Sequence, residues 1–213
     1  MTTRVLSAVG ALVFLVASAC SPLAPIPDRS RYYALMPAPA PPTSQAAGEP
    51  GRPRALCALG PVTLPAYLDR TQIVTRLSPT EVAYSEWDRW AEPLGTSVAA
   101  ALRDSIAAEL GNDRLVTYPW SAVDVDYQIE VAFVRFETQS NGDTQMAARW
   151  SVRDVHRAME VIRRETTRAQ KVAPHDRAAS TAALSTMLSD LGHEIADAVR
   201  DLPPAPPRKT ATK

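Results

Sequence analysis

From residue 94 to residue 110 the apolar side chains Leu94, Val98, Leu102, Ile106 and Leu110 recur every four positions, with Arg103 and Asp104 falling on the other side. That spacing is close to the helical repeat, so it predicts an amphipathic helix whose stripe drifts slowly and buries a broad face against a sheet. Pro93 suits the first helical position, and Gly111-Asn112 closes the element. A second stripe, Leu184, Met187, Leu188, Leu191, Ile195, Ala198 and Val199, predicts another helix from about 177 to 202, ended by Pro203-Pro204.

Elsewhere the period is two. Tyr127, Ile129, Val131 and Phe133 alternate with Gln128 and Glu130, and Met146, Ala148, Trp150 and Val152 alternate with Ala147, Arg149, Ser151 and Arg153. Asn141-Gly142 between them is a turn signal, so residues 126–155 read as a long antiparallel hairpin with one buried face. Residues 160–170 are polar at most positions and read as an edge strand whose charges discourage aggregation. Shorter strands are expected at RYYALMP (31–37), ALCALGPVTL (55–64), QIVTRL (72–77) and EVAYSE (81–86). Strand groups with two helices and no regular alternation give the fold class α+β, a mainly antiparallel sheet covered by two amphipathic helices.

The remaining segments set the domain plan. Residues 37–54, PAPAPPTSQAAGEPGRPR, are a flexible excursion outside the core, and residues 203–213 are a basic, proline-rich tail too short to fold. At the other end, Val5 to Val16 is apolar apart from Ser7 and Gly10, follows a single charge at Arg4, and is too short to span a bilayer comfortably. Ala17-Ser18-Ala19 then offers a small-residue cleavage site directly before Cys20. The arrangement resembles a bacterial lipobox, with Ala17 where leucine is more usual. On that reading residues 1–19 are a signal peptide, Cys20 carries a diacylglyceryl group and an N-acyl chain, and residues 20–30 are a tether to a single periplasmic domain at 31–202. Ser21, where an aspartate would retain a lipoprotein at the inner membrane, directs this one to the outer membrane. Several acyl chains, at about 0.8 kcal/mol per buried methylene, make such an anchor permanent.

Charge and chemistry narrow the function by exclusion. Lys and Arg equal Asp and Glu at 23 each among 213 residues, so no basic excess points to nucleic acid. Cys57 has no partner once Cys20 is acylated and reads as a small buried hydrophobe. His156, His175 and His193 lack metal-ligand spacing, and Asp124 and Asp126 read as solvated carboxylates at a strand entry. Ser97 lacks the glycines of a nucleophile elbow, and eight scattered glycines build no phosphate loop. The chain is therefore expected to have no catalytic residues, no metal and no cofactor beyond the lipid on Cys20.

Two stretches carry more than turns require. GPVTLPAYLDRTQIVTR (60–76) sets Tyr67, read as exposed, beside Asp69 and Arg70, and WDRWAEPL (87–94) crowds Trp87 and Trp90 beside Glu92. Either these residues only shape connections and cover a helix entrance, or they contact a partner, because aromatic residues and Arg on loops are what interfaces enrich.

The lipobox, YYAL, LPAYLDRTQIVTR, RWAEPL at the helix head, and VRFE followed by ARWSV resemble, in order, the PqiC (YmbA) family of ABC-type transport auxiliary lipoproteins. The proline-rich insertion and the basic tail lie outside the matching segments. The resemblance implies a non-catalytic auxiliary subunit, anchored in outer-membrane lipid and facing the periplasm. It would work with an MCE-domain protein and the associated inner-membrane transport components, with homo-oligomerisation left open. Tyr67, Asp69, Arg70, Trp87, Trp90 and Glu92 are the candidate partner contacts. The alternative is a scaffold or assembly lipoprotein for outer-membrane machinery.

Overall fold

A computed structural model describes residues 27–36, 55–118, 124–200 and 202–203. The leader, Cys20, most of the tether, the insertion at 37–54 and the tail beyond Pro203 lie outside the described residues. The strands are β1 (Arg31–Tyr33), β2 (Cys57–Thr63), β3 (Gln72–Ser78), β4 (Glu81–Trp90), β5 (Leu115–Thr117), β6 (Tyr127–Gln139), β7 (Asp143–Asp154) and β8 (Met159–Lys171). Two helices, α1 (Leu94–Leu110) and α2 (Arg177–Arg200), complete an α+β fold. No helix among the described residues is long and apolar enough to cross a membrane.

The sheet is organised by β6, whose one edge carries β7 along its length while the other is shared by β2 and, further on, β3. Strands β6, β7 and β8 form an antiparallel meander, and β3 and β4 form a second antiparallel pair. The ladders β2 to β5, β2 to β6, β3 to β6 and β1 to β4 are shorter and parallel.

Alternation places the meander's core. Ile129 faces Val152, Val131 faces Trp150 and Phe133 faces Ala148, all buried. A bulge between Phe133 and Arg135 then adds one residue to β6 and reverses which positions point inward. Phe136 and Thr138 therefore meet Met146 and Thr144 in the core, and Glu137 turns to the opposite face. The turn needs its glycine: Gly142 has φ +91°, and a Cβ there would lie 2.2 Å from the Val172 carbonyl oxygen. Asn141 fastens the same turn by accepting the Asp143 N–H at 2.9 Å.

Pro93, expected at the first helical position, is instead the N-cap of α1, one residue before Leu94, and its carbonyl accepts the Thr96 and Ser97 N–H groups. Gly111, at φ +99°, ends the helix. The apolar stripe of α1 does not rest on the sheet alone, because Ser97, Ala101, Ser105 and Ala107 are buried as well and α1 packs against α2, β2 and β5. The helices approach closely at Gly192, where a Cβ would stand 2.5 Å from the Ser105 Cβ. Ser105 Oγ turns back to the Ala101 carbonyl at 2.9 Å.

Three expectations change. β4 runs to Trp90 instead of stopping at 86, because Asp88, Arg89 and Trp90 pair with Arg31, Tyr32 and Tyr33 of β1. β1 itself is only Arg31–Tyr33, not 31–37. β5 has no counterpart in the sequence reading, since three residues show no period and owe their strand to pairing with β2.

Candidate partner-contact surface

The connection from β2 to β3 contains a short 3-10 turn, Ala66–Leu68, in which Leu68 N–H reaches the Pro65 carbonyl and Leu68 is buried. Tyr67 is half-buried, in contrast to the exposed side chain expected. Its hydroxyl donates to Glu137 Oε2 at 2.8 Å, and the bulge in β6 is what turns that carboxylate toward it. Arg76 binds the same carboxylate with Nε and, at 3.2 Å, with Nη2, and its guanidinium lies 5.5 Å from the Tyr67 ring centroid. Burial, followed by the hydrogen bond to Glu137, raises the Tyr67 pKa above its ordinary value, and the bond to Glu137 raises that of Arg76. Tyr67 thus clamps the connection to β3 and β6.

The next two residues behave differently. Asp69 and Arg70 are exposed, and the Arg70 guanidinium sits over the ring of Tyr84, 4.1 Å from its centroid, not on Asp69. Tyr84 belongs to β4, whose register shifts between the Val74–Tyr84 and Gln72–Arg89 pairs. Ser85 stabilises this irregularity: its Oγ accepts the Asp88 N–H at 2.9 Å and donates to Asp88 Oδ2 at 3.1 Å. Tyr84 before the shift and Trp87 after it are both solvent-exposed, at 43% and 39%.

Trp90 is a correction. It is buried, pairs with Tyr33 and belongs to the core, so its ring is not presented to a partner. Neither tryptophan covers the helix entrance from a loop, since both are on β4. Glu92 is exposed in the short link to α1. The structure therefore brings Asp69, Arg70, Trp87 and Glu92 to the surface and leaves Tyr67 and Trp90 as supports.

Sequence reasoning missed the groups that hold this region. Asp88, buried, receives Arg31 at 2.7 Å and Arg177 at 3.2 Å, joining β1, β4 and the start of α2. Glu137 and Arg76 were equally unmarked. A carboxylate that interrupts a strand's hydrophobic alternation is the one available signal, and Glu137 in VRFE carries it.

No three His, Cys, Asp or Glu residues gather as a metal-ligand set among the described residues. His156 stands 3.6 Å from Asp126, which also accepts the Leu56 N–H at 2.8 Å, and His193 stands 3.7 Å from Glu109. Asp126 is thereby tied into the chain, not merely solvated. Burial pushes the Cys57 thiol up to about 11, where it is a poor nucleophile. A cavity of about 620 Å³ opens between Pro61 and Thr63 on one side and Arg163 and Glu165 on the other.

A family model described as "ABC-type transport auxiliary lipoprotein component" matches residues 33–196. Two solved structures share the fold, each at a TM-score of 0.64 and 17% identity. One is an uncharacterized protein, the match covering 80% of this chain and 98% of that one. The other comes from Xanthomonas campestris, with 80% and 95% covered. No curated protein matches.

Proposed function

The chain belongs to the ABC-type transport auxiliary lipoprotein family, and from that premise we propose that it is a non-catalytic subunit anchored in the outer membrane through acylated Cys20. In this reading the domain faces the periplasm and holds the outer-membrane end of a lipid-transporting ABC system, with an MCE-domain protein as its direct partner. The family match over most of the domain carries the proposal, and Ala17-Ser18-Ala19-Cys20 behind an apolar run supports the anchor.

The contact falls to Asp69, Arg70, Trp87 and Glu92. Arg70 and Trp87 are residue types that interfaces enrich, Asp69 and Glu92 suit a polar rim around them, and the elements that carry them are held in place by Tyr67 and Asp88. Tyr67 and Trp90 act beneath that surface, fixing its shape.

Affinity recovery of the tagged full-length protein from detergent-solubilised envelopes tests the reading. Co-recovery of an MCE-domain protein is expected. Recovery of an outer-membrane β-barrel assembly protein in its place would favour the scaffold alternative and overturn the transport role. Intact mass of the recovered chain should show Cys20 as the first residue with its acyl chains, and a mature chain without lipid would overturn the anchor.

A further inference from the structure

Strand register places three exposed aromatic side chains on one face of the wing made by β1, β4 and β3. Tyr32 lies opposite Arg89, and Arg89 lies opposite Gln72. Two residues along β3 from Gln72, Val74 lies opposite Tyr84, and Trp87 stands two residues before Arg89 on β4. Side chains two apart on a strand share a face, so Tyr32, Tyr84 and Trp87 point the same way. They are 62%, 43% and 39% exposed. Asp88, between Trp87 and Arg89, points the other way and binds Arg177 of α2 at 3.2 Å, so the aromatic face is the one turned from the helices.

The cations beside these rings are not spent inside the protein. Among the described residues Arg29, Arg70 and Arg89 form no ion pair: Arg70 lies over Tyr84, and Arg89 reaches the Thr71 hydroxyl at 3.5 Å. Arg31, by contrast, is pinned to Asp88 at 2.7 Å. Exposed Asp69 and Glu86 offset these arginines, so the face offers aromatic rings and guanidinium groups without a strong net charge. Such a surface suits the headgroup layer of a bilayer, where Tyr and Trp rings lie between water and acyl chains and Arg meets phosphate.

Chain connectivity selects the occupant. The tether joins the domain at β1, beside this face: the Asp28 carboxyl is held below its ordinary value by its bonds from Ser30 and also by the charge of Arg89. Cys20 stands eleven residues before Arg31, and a chain of that length reaches at most about 40 Å. Acyl chains on Cys20 therefore keep a membrane within reach of Tyr32 at all times, at an effective concentration that a diffusing partner lacks. We infer that the face carrying Tyr32, Tyr84 and Trp87 lies on the membrane that holds Cys20, with its rings among the lipid headgroups and Arg29 and Arg89 against phosphate oxygens. The inference rests on the Cys20 anchor of the proposed function. Arg70 and Trp87 also serve the partner reading, whereas Tyr32 and Arg29 serve lipid alone, so the test turns on Tyr32.

The full chain, extracted in mild detergent and returned to vesicles of phosphatidylethanolamine and phosphatidylglycerol, tests it with a polarity-sensitive fluorophore on a single added cysteine. Native Cys57 is buried and does not compete for the label. Ala34→Cys puts the label at an exposed position two residues beyond Tyr32, and Asp197→Cys puts it at an exposed position on α2, about 30 Å along the helix from Arg177. The label at 34 should shift to the blue in vesicles and be quenched by lipids spin-labelled at the headgroup, while the label at 197 should do neither. Adding Tyr32→Glu to Ala34→Cys should abolish the quenching, with flotation on the vesicles and the melting temperature both unchanged. A floating chain whose label at 34 is unquenched, equal quenching at 197, or quenching untouched by Tyr32→Glu would each overturn the inference and leave the anchor standing. A blue shift without lipid quenching would overturn it too, because protein and not lipid would then cover the face. A chain that neither floats nor carries acyl mass would remove the anchor and the inference together.

Discussion

The β6–β7–β8 meander and the wing made by β1, β4 and β3 are joined along β6, and they are held by different forces. In the meander, opposite residues such as Ile129 and Val152 or Val131 and Trp150 are apolar, and neighbouring strands follow one another in sequence through short turns. In the wing and at its seam with β6 the fixing groups are two buried carboxylates, Asp88 and Glu137, whose arginines are distant in sequence: Arg76 is 61 residues from Glu137, Arg31 is 57 from Asp88, and Arg177 is 89 from it. Apolar pairs tolerate imperfect geometry, whereas a buried carboxylate deprived of its cation leaves a costly charge. The wing, which carries the proposed partner surface, should thus be firm while its charges are matched and fail abruptly when one is removed.

Removing Glu137 is the strongest way to break that contrast. Glu137→Ala leaves Arg76, whose side chain is only 20% exposed, without its carboxylate and Tyr67 without its acceptor. A loss of about 3–5 kcal/mol is expected by chemical denaturation. Hydrogen exchange should quicken first in β3, with the β7 amides protected longer. Uniform loss of protection across both regions would show that wing and meander are not separately held.

In the meander the sensitive point is steric. Gly142→Ala places a methyl group against the Val172 carbonyl oxygen at a positive φ, and should cost about 1–3 kcal/mol while leaving β3 and β4 intact. An unchanged melting temperature would mean that the turn is looser than its geometry indicates.

A smaller effect separates the regions by pH. The folded-state pKa of Tyr67 lies above its unfolded value, so the stability tied to its protonated form is complete below about pH 10 and is lost as pH rises through the folded value. Tyr67→Phe should cost about 1–2 kcal/mol at neutral pH by removing the bond to Glu137. It should also make the alkaline decline shallower. Some slope remains, because burial raises the pKa of Tyr127 as well. Identical alkaline slopes for the two proteins would place Tyr67 outside the titrating set.

The same contrast explains what could be read in advance. The meander and both helices were legible because their periods are local: alternation over Tyr127 to Phe133, Asn141-Gly142 at the turn, and apolar stripes on α1 and α2. The bulge after Phe133 was not, since one extra residue changes the facing of Phe136 and Glu137 without altering composition. The wing was least legible. WDRW looked like a loop because its partner, Arg31–Tyr33, lies across the long insertion, and Trp90 looked available because nothing near it in sequence announces burial. Of the proposed contact residues, Asp69, Arg70, Trp87 and Glu92 are at the surface. Tyr67 could not be assigned correctly without Glu137, seventy residues on.

The most direct measurement of the central claim uses the double variant Asp69→Ala with Arg70→Ala, followed for stability and for partner recovery in one preparation. Both side chains are exposed, and the Arg70 contact with Tyr84 is an exposed cation–π pair of about 0.5–1 kcal/mol. The account predicts a melting temperature almost unchanged and a marked loss of the MCE-domain protein from the recovered complex. Undiminished recovery, or a large fall in melting temperature accompanying the loss, would contradict a partner surface at Asp69 and Arg70.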